Sequence, residues 1–478
     1  MHASVYTPEE PITSIATALA PAALGIIRVS GKNCIELVSK VFSRPKALLE
    51  AAGNTIVYGW IVDNNGTKID EVMCAVYRTP KSFTGEDMVE IFCHGGPSVV
   101  TAIQNLMLKS GFRQANRGEY TFRAYINGKT DLTKAEAVKE IIDSHTDVSR
   151  SHAVGRLSGS LFAQIDEIKK LIIDTLAAIE VEIEYPEDEE TIADTFNRSD
   201  IETAINRLQA LVDSWRGEKL YQDGARVVLA GRTNAGKSSL FNAILKEERA
   251  IVSDIEGTTR DWLESWASIN GIPVRLFDTA GLRQTDDVIE ARGVELTKNL
   301  AGDADIVFYL IDSTSKITAE DLSFIKNAQE PLIVVYTKTD INNEGESLPP
   351  GSHCVAHTPP SAHSDAMRNA GLNPIQVAIS SKDGSGMKTL FDEAAKLLTS
   401  GLTTEREQAG IGSERQKNAV AEALECVKHA LVSADDNYTL DAVVQDLEDA
   451  LDFLGEVTGD VTPDDVLGSI FANFCVGK

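Results

Sequence analysis

The chain has 478 residues, and its 72 Asp and Glu outnumber 45 Lys and Arg, for a formal net charge of -27. A surface this acidic repels nucleic acid on average, which leaves any RNA contact to a local basic patch or a basic partner protein. The length exceeds what one core serves and suggests roughly two to four domains, and no apolar run is long enough to span a membrane.

The six cysteines, at positions 34, 74, 93, 354, 426 and 475, are scattered with no C-x-x-C pair. That pattern argues against a zinc knuckle or a disulfide framework. It fits a reducing cytoplasm, as does a start lacking a basic-then-apolar export segment.

Residues 1–120 mix short β-type runs with turns. Strands are predicted at 23–29, 55–62 and 70–77 and a helix at 98–109, which makes an α/β domain. From residue 121 to about 220 the pattern is helical, with apolar residues three and four apart over 135–143, 148–179 and 201–211. An acidic break at 182–190, carrying Pro186, separates the last two. Strand–loop–helix alternation then fills 221–398, with strands predicted at 227–230, 274–277, 306–311, 332–336 and 376–379, the pattern of a doubly wound parallel sheet. Helices resume over 399–478, at 413–431, 440–456 and 463–474. The expected architecture is a multidomain α/β plus α protein in which an α/β unit interrupts a single helical bundle; separate helical domains are the alternative.

The segment Gly231-Arg232-Thr233-Asn234-Ala235-Gly236-Lys237-Ser238 matches G-x-x-x-x-G-K-S and follows the apolar run 227–230. Strand, glycine-rich turn and helix start form a phosphate cradle, with Lys237 for the β/γ-phosphates and Ser238 for Mg²⁺. Ser239 extends the loop. Gly257-Thr258-Thr259-Arg260-Asp261 offers a threonine to complete the Mg²⁺ shell. Asp278-Thr279-Ala280-Gly281 ends a strand, where Asp278 holds the metal through water and Gly281 senses the γ-phosphate. Thr337-Lys338-Thr339-Asp340 ends another, and Asp340 can accept from N1–H and the exocyclic amine of guanine, a donor pair adenine lacks. Ser380-Ser381-Lys382 would support the base through a backbone amide. The order of these fragments, each at a strand end, points to GTP.

Leu282 follows the D-x-x-G segment where small switch GTPases often carry glutamine, and leucine cannot orient water. Arg283, Gln284, Asp286, Asp287, Glu290 and Arg292 follow as candidates, and a carboxylate among them is chemically reasonable. Asn234, with carbonyls of residues 253–258, could bind a monovalent cation beside the phosphates, or simply form a turn.

On these motifs the chain resembles the MnmE (TrmE) family of tRNA-modification GTPases. The resemblance extends to Ile27-Arg28-Val29-Ser30-Gly31, Ser82-Phe83-Thr84-Gly85-Glu86-Asp87, Glu90, His94-Gly95-Gly96, Gly118–Ala124, Asn127-Gly128-Lys129-Thr130-Asp131-Leu132 and Phe474-Cys475-Val476-Gly477-Lys478. It implies an N-terminal domain that forms a homodimer and binds 5-formyl- or 5,10-methylene-tetrahydrofolate through Arg28, Glu90, Lys129 and Lys478. It also implies a Ras-like G domain inserted into a helical domain. A FAD-binding partner, GidA or MnmG, is implied too, and with it modification of carbon 5 of the tRNA wobble uridine (position 34). Potassium ligands carry over to Asn234, Ser253, Ile255 and Thr258, magnesium ligands to Ser238 and Thr259, and the water-orienting glutamate to Glu290. Cys475 has three readings: nucleophile, folate-pocket residue or small buried hydrophobe.

Two residues depart from the family pattern. Thr337 stands in place of asparagine, and a threonine is not expected to span the same distance to the phosphate loop, so weaker nucleotide affinity follows. Thr233 replaces a proline and should loosen the loop slightly. A GTP-dependent assembly or scaffold protein without a part in modification chemistry is the alternative, and the folate-type residues separate the two.

Overall fold

The computed structural model describes residues 10–184, 197–247, 263–278, 303–341, 361–400, 402, 410–435 and 440–477. They form two compact units. One comprises Met1–Lys139, Gly155–Ala210 and Ser413–Lys478, and the other Glu140–Val154 and Leu211–Gly412.

In the first unit a six-stranded sheet is built from β1 (Ile12–Ile15), β2 (Ala22–Ser30), β3 (Thr55–Val62), β4 (Lys68–Tyr77), β5 (Met88–Gly95) and β6 (Arg113–Gln114), in the order β3-β4-β5-β2-β1-β6. All pairings are antiparallel except β1 with β6. Alternate residues point to opposite faces, so Ile27 and Val29, Val72, Cys74 and Val76, and Val89, Ile91 and Cys93 share one buried face. Residues of α1 (Cys34–Ser39), α2 (Pro45–Leu49) and α3 (Pro97–Lys109) complete that core. On the opposite face Leu24, Ile56, Tyr58 and Met73 are exposed.

The chain continues through α4 (Glu119–Ile126), α5 (Leu132–Asp143), α6 (Asp147–Leu157), α7 (Ser160–Glu184) and α8 (Arg198–Asp223). The helix predicted over 148–179 is two helices. Gly159 lies between them at φ 97°, a backbone state that glycine tolerates and that ends helices. The predicted acidic break at residue 182 also moves, because α7 runs to Glu184.

The second unit carries the parallel sheet. Its strands are β7 (Ala225–Gly231), β8 (Leu263–Ile269), β9 (Ile272–Asp278), β10 (Ile306–Asp312), β11 (Leu332–Thr337) and β12 (Ile375–Ala378), ordered β12-β11-β10-β7-β9-β8 with only β8 antiparallel. Both faces are covered. Val227 and Leu229 of β7 pack with α9 (Lys237–Glu247) and α12 (Met387–Leu398). Val228 and Ala230 point the other way, into the layer containing Ile325 of α10 (Ala319–Asn327) and Met367 of α11 (Ser361–Asn369). Burial on both sides explains why these strands are continuous apolar runs. Strand order reverses beside β7, where α/β sheets of this kind bind ligands.

The C-terminal helices α13 (Glu414–Asp435), α14 (Leu440–Thr458) and α15 (Asp464–Ala472) belong to the first unit. Val443, Leu447, Ala450 and Leu454 of α14 are fully buried at three- and four-residue spacing, and this stripe packs on α13 and α7. Phe471 and Phe474 join Leu132 and Ala135 in a separate apolar cluster, with Phe122 edge-on to Phe471 at 5.2 Å. The observed fold is therefore α/β plus α, with a P-loop-type sheet between helical segments.

Candidate functional site

The turn after β7 is shaped by close approach. A side chain at Gly231 (φ 138°) would put its Cβ 2.4 Å from the Leu310 carbonyl oxygen of β10, so only glycine fits. Asn234 and Gly236 are both left-handed, at φ 61° and 93°, and the chain then enters α9. Asparagine is the side chain that best tolerates such a turn, and this local role for Asn234 is visible. The other residues assigned with it to potassium, Ser253, Ile255 and Thr258, lie outside the described residues. So do Thr259, Thr279, Ala280, Gly281, Glu290 and Lys478, and only the backbone of Asp278 is described.

Lys237 is nearly buried, and its ammonium donates to the carbonyls of Gly231 at 2.7 Å and Arg232 at 2.8 Å. The loop thus holds a positive charge against its own backbone, beside the N-terminus of α9, an arrangement suited to an anion. Ala235 is buried, whereas Ser238 and Ser239 are exposed on the first turn of α9.

The residues expected at the base lie at the carboxyl ends of strands in the same sheet. Thr337 closes β11, and its Oγ1 donates to the Ala235 carbonyl at 2.8 Å, both residues being buried. From sequence a threonine is expected to span this distance less well than an asparagine, yet its hydroxyl reaches the loop. Gly236 favours the close approach, since a Cβ there would come to 3.3 Å from Thr337 and press the two apart. The brace between β11 and the phosphate loop is therefore present in a shorter form.

Ser380 is fully buried after β12, and its hydroxyl donates to Asp340 Oδ1 at 3.0 Å. The Ser380 amide donates to Ser385 O and the Lys382 amide to Ser380 Oγ, and neither contact uses the Ser381 amide. Ser380 thus orients the Asp340 carboxylate, a role its sequence position did not disclose. Lys338, at φ 58°, directs its ammonium to Asp312 Oδ2 at 2.6 Å. Burial raises the Asp312 pKa, and hydrogen bonds from Lys338 and Thr314 outweigh that and hold it below the ordinary carboxylate value. Asp312 was missed in the sequence; an acid at the carboxyl end of a buried strand was the available signal.

A second cluster lies on the N-terminal sheet. Arg28 of β2 and Glu90 of β5 are register partners. Arg28 donates to Glu90 Oε1 through Nε at 2.9 Å and Nη2 at 2.7 Å, and through Nη1 to the Gly477 carbonyl at 3.0 Å. Its guanidinium carbon is 5.5 Å from the ring centroids of both Phe83 and Tyr120. Burial pushes the Tyr120 phenol up, so it remains a neutral donor, and it bonds the Arg28 carbonyl at 2.8 Å. Tyr77 reaches Glu90 Oε2 at 3.4 Å. Lys129 is exposed and donates to the Pro80 carbonyl at 2.9 Å, in the loop that also carries Phe83. Cys475 is exposed, which removes its reading as a buried hydrophobe, while its carbonyl accepts from the Gly118 amide.

The family profile described as GTP-binding protein TrmE N-terminus matches residues 11–129, and the MnmE helical domain profile matches residues 132–475. The chain is 49% identical over 486 residues to a tRNA modification GTPase MnmE of Treponema denticola, covering 100% of each. It is 42% identical over 500 residues to that of Treponema pallidum (strain Nichols), again with 100% of each covered. It is 39% identical over 480 residues to that of Borrelia turicatae, covering 99% of this chain and 100% of the relative. Identity at this level over the whole chain shows that the chain belongs to the MnmE family of tRNA modification GTPases.

Proposed function

We propose that this chain binds and hydrolyses GTP in the service of tRNA modification, working with a flavoprotein on carbon 5 of the wobble uridine and using a reduced-folate one-carbon unit. Its family and its relatives' names support a GTPase role in tRNA modification. The observation that carries the reading is the brace from Thr337 to Ala235, which joins the guanine-side strand end to the phosphate loop.

In this reading residues 221–398 are a G domain inserted between helical segments 121–220 and 399–478, after an N-terminal domain over 1–120. Asp340, steadied by Ser380, reads the guanine edge. Ser238 and Thr259 would hold Mg²⁺, which neutralises phosphate charge when bound. Asn234, Ser253, Ile255 and Thr258 would hold K⁺, and Glu290 would orient water. The hydroxyl of Ser238 sits on the exposed first turn of α9, a position compatible with metal ligation.

The N-terminal cluster suits a folate by its donor set. Glu90 uses Oε1 for Arg28 and keeps Oε2 toward Tyr77, an acceptor suited to pterin N–H groups. Lys129 and Lys478 would take the glutamate carboxylates. A homodimer is supported by the outer sheet face, where Tyr58, Met73, Phe92 and Ile26 are successive cross-strand partners and Tyr58 and Met73 are exposed. Among the described residues no helix is long and apolar enough to cross a membrane.

Position-34 nucleosides from cells lacking the protein, analysed with and without a plasmid-borne copy, test the reading. Loss of the C5-modified uridine, restored by the copy, is expected; unchanged nucleosides would refute the modification role and favour a scaffold.

A further inference from the structure

The loop after β10 grips the corner at the end of β11. The Ser313 amide donates to Thr337 O at 3.1 Å, and the Ser313 hydroxyl to Lys338 O at 3.2 Å. Asp312 ends β10 just before that loop, and its Oδ1 accepts from the Thr314 amide at 2.9 Å and hydroxyl at 2.7 Å. Those two bonds fix the carboxylate plane, so Oδ2 points steadily at Lys338 Nζ, 2.6 Å away.

A lysine fastened at its charged end displays its methylene stem as an apolar wall. Lys338 lies between Thr337, which braces the phosphate loop, and Asp340, which Ser380 orients. We propose that Asp312 is a positioning residue for the nucleotide: by tethering the Lys338 ammonium to β10 it sets the stem as one wall of the base slot, while Asp340 reads the base edge. The inference rests on the guanine-nucleotide reading. Without the tether the four-carbon side chain must be ordered when nucleotide arrives, and the affinity falls by the entropy of that ordering.

The competing role is local, with Asp312 serving only as the turn former for Thr314. Asp312→Asn separates the two, because Asn keeps an Oδ1 acceptor for Thr314 while replacing Oδ2 with a donor that repels the ammonium. Asp312→Asn, Lys338→Met and the double variant are made in the full chain. GDP affinity is then measured by displacement of a fluorescent analogue, with nucleotide carried to millimolar so that weak variants stay readable. Asp312→Asn is expected to weaken GDP binding about three- to ten-fold, the equivalent of ordering one long side chain, and by less than about two-fold in the Lys338→Met background. An equal loss in both backgrounds, or no loss in the otherwise wild-type chain, overturns the proposal. Failure of the wild-type chain to bind GDP would instead sink the guanine-nucleotide reading beneath it.

Discussion

Replacing Thr337 with valine removes one hydroxyl and keeps the branched shape, so it isolates the brace between β11 and the phosphate loop. The Ala235 carbonyl is buried and accepts from Thr337 Oγ1 at 2.8 Å; the Ile311 carbonyl, at 3.4 Å, is a much poorer second acceptor. A buried acceptor left without its donor costs about 1–3 kcal/mol. Part of that is relieved if the loop opens to water, and what remains is lost preorganisation of the phosphate cradle. About 1–2 kcal/mol should therefore reach nucleotide binding, a roughly 5- to 30-fold weaker affinity for GDP and GTP alike. Thr337→Ser, which retains the hydroxyl, should stay within about three-fold of the wild type, the rotamer freedom of serine accounting for the remainder. Equilibrium titration with a fluorescent GDP analogue reads all three proteins. If Thr337→Val binds as tightly as the wild type, the hydroxyl does not preorganise the loop, and the short brace has no consequence for the nucleotide.

Glu290→Ala is expected to keep GTP affinity while steady-state hydrolysis falls by about 100-fold or more, the scale of a positioned base or water-orienting group; unchanged turnover would remove Glu290 from the reaction. Exchanging K⁺ for Na⁺ should slow hydrolysis at saturating GTP, and equal rates in the two salts would dismiss the cation assigned to Asn234. Arg28→Ala should abolish calorimetric binding of 5-formyltetrahydrofolate, since it strips Glu90 of its partner as well as removing a cation; an undiminished binding isotherm would move the folate site elsewhere. Glu119 supplies a pH test. Burial raises its pKa, but hydrogen bonds from Arg113, the Asn116 amide and Arg123 more than offset this and hold it below its ordinary 4.5. Its contribution to stability is therefore complete above that ordinary value and fades as pH falls through the lower folded value. Thermal melts from neutral pH down to about pH 3 should show an acid loss that Glu119→Gln flattens, and parallel profiles for the two proteins would deny Glu119 this role.

What the sequence disclosed follows from where the physics is local. The phosphate loop and the Thr337–Asp340 segment are short because each needs particular atoms at a strand end, so they could be read without the fold. Long apolar runs such as β10 and β11 were equally legible, being buried on both faces. β8 was not: Leu263-Glu264-Ser265-Trp266-Ala267-Ser268-Ile269 lies at the sheet edge and carries a mixed pattern. β5 is equally hard to read as a strand, because Val89, Ile91 and Cys93 alternate with residues such as Glu90 and His94 whose purpose lies on the other face. The helical break at Gly159 was hidden because a single glycine inside a periodic stretch reads equally as tolerated or terminal. Contacts between distant segments were out of reach altogether. Neither the length of the Thr337 brace nor the pairing of Asp312 with Lys338 follows from spacing, since both depend on how β7, β10 and β11 stack side by side.

The bond from Arg28 to the carbonyl of Gly477 joins residues 449 positions apart, and Arg117 makes an isolated β-bridge with Val476 close by. A ribosome synthesising this polypeptide will have finished the first strands long before the segment that seals them emerges. Until then Arg28 lacks its carbonyl acceptor and the edge beside Arg117 stands open. Emergence of the segment around Gly477 is therefore the event that completes the surroundings of Arg28, and a change that displaces this late segment would be felt first among the residues made earliest.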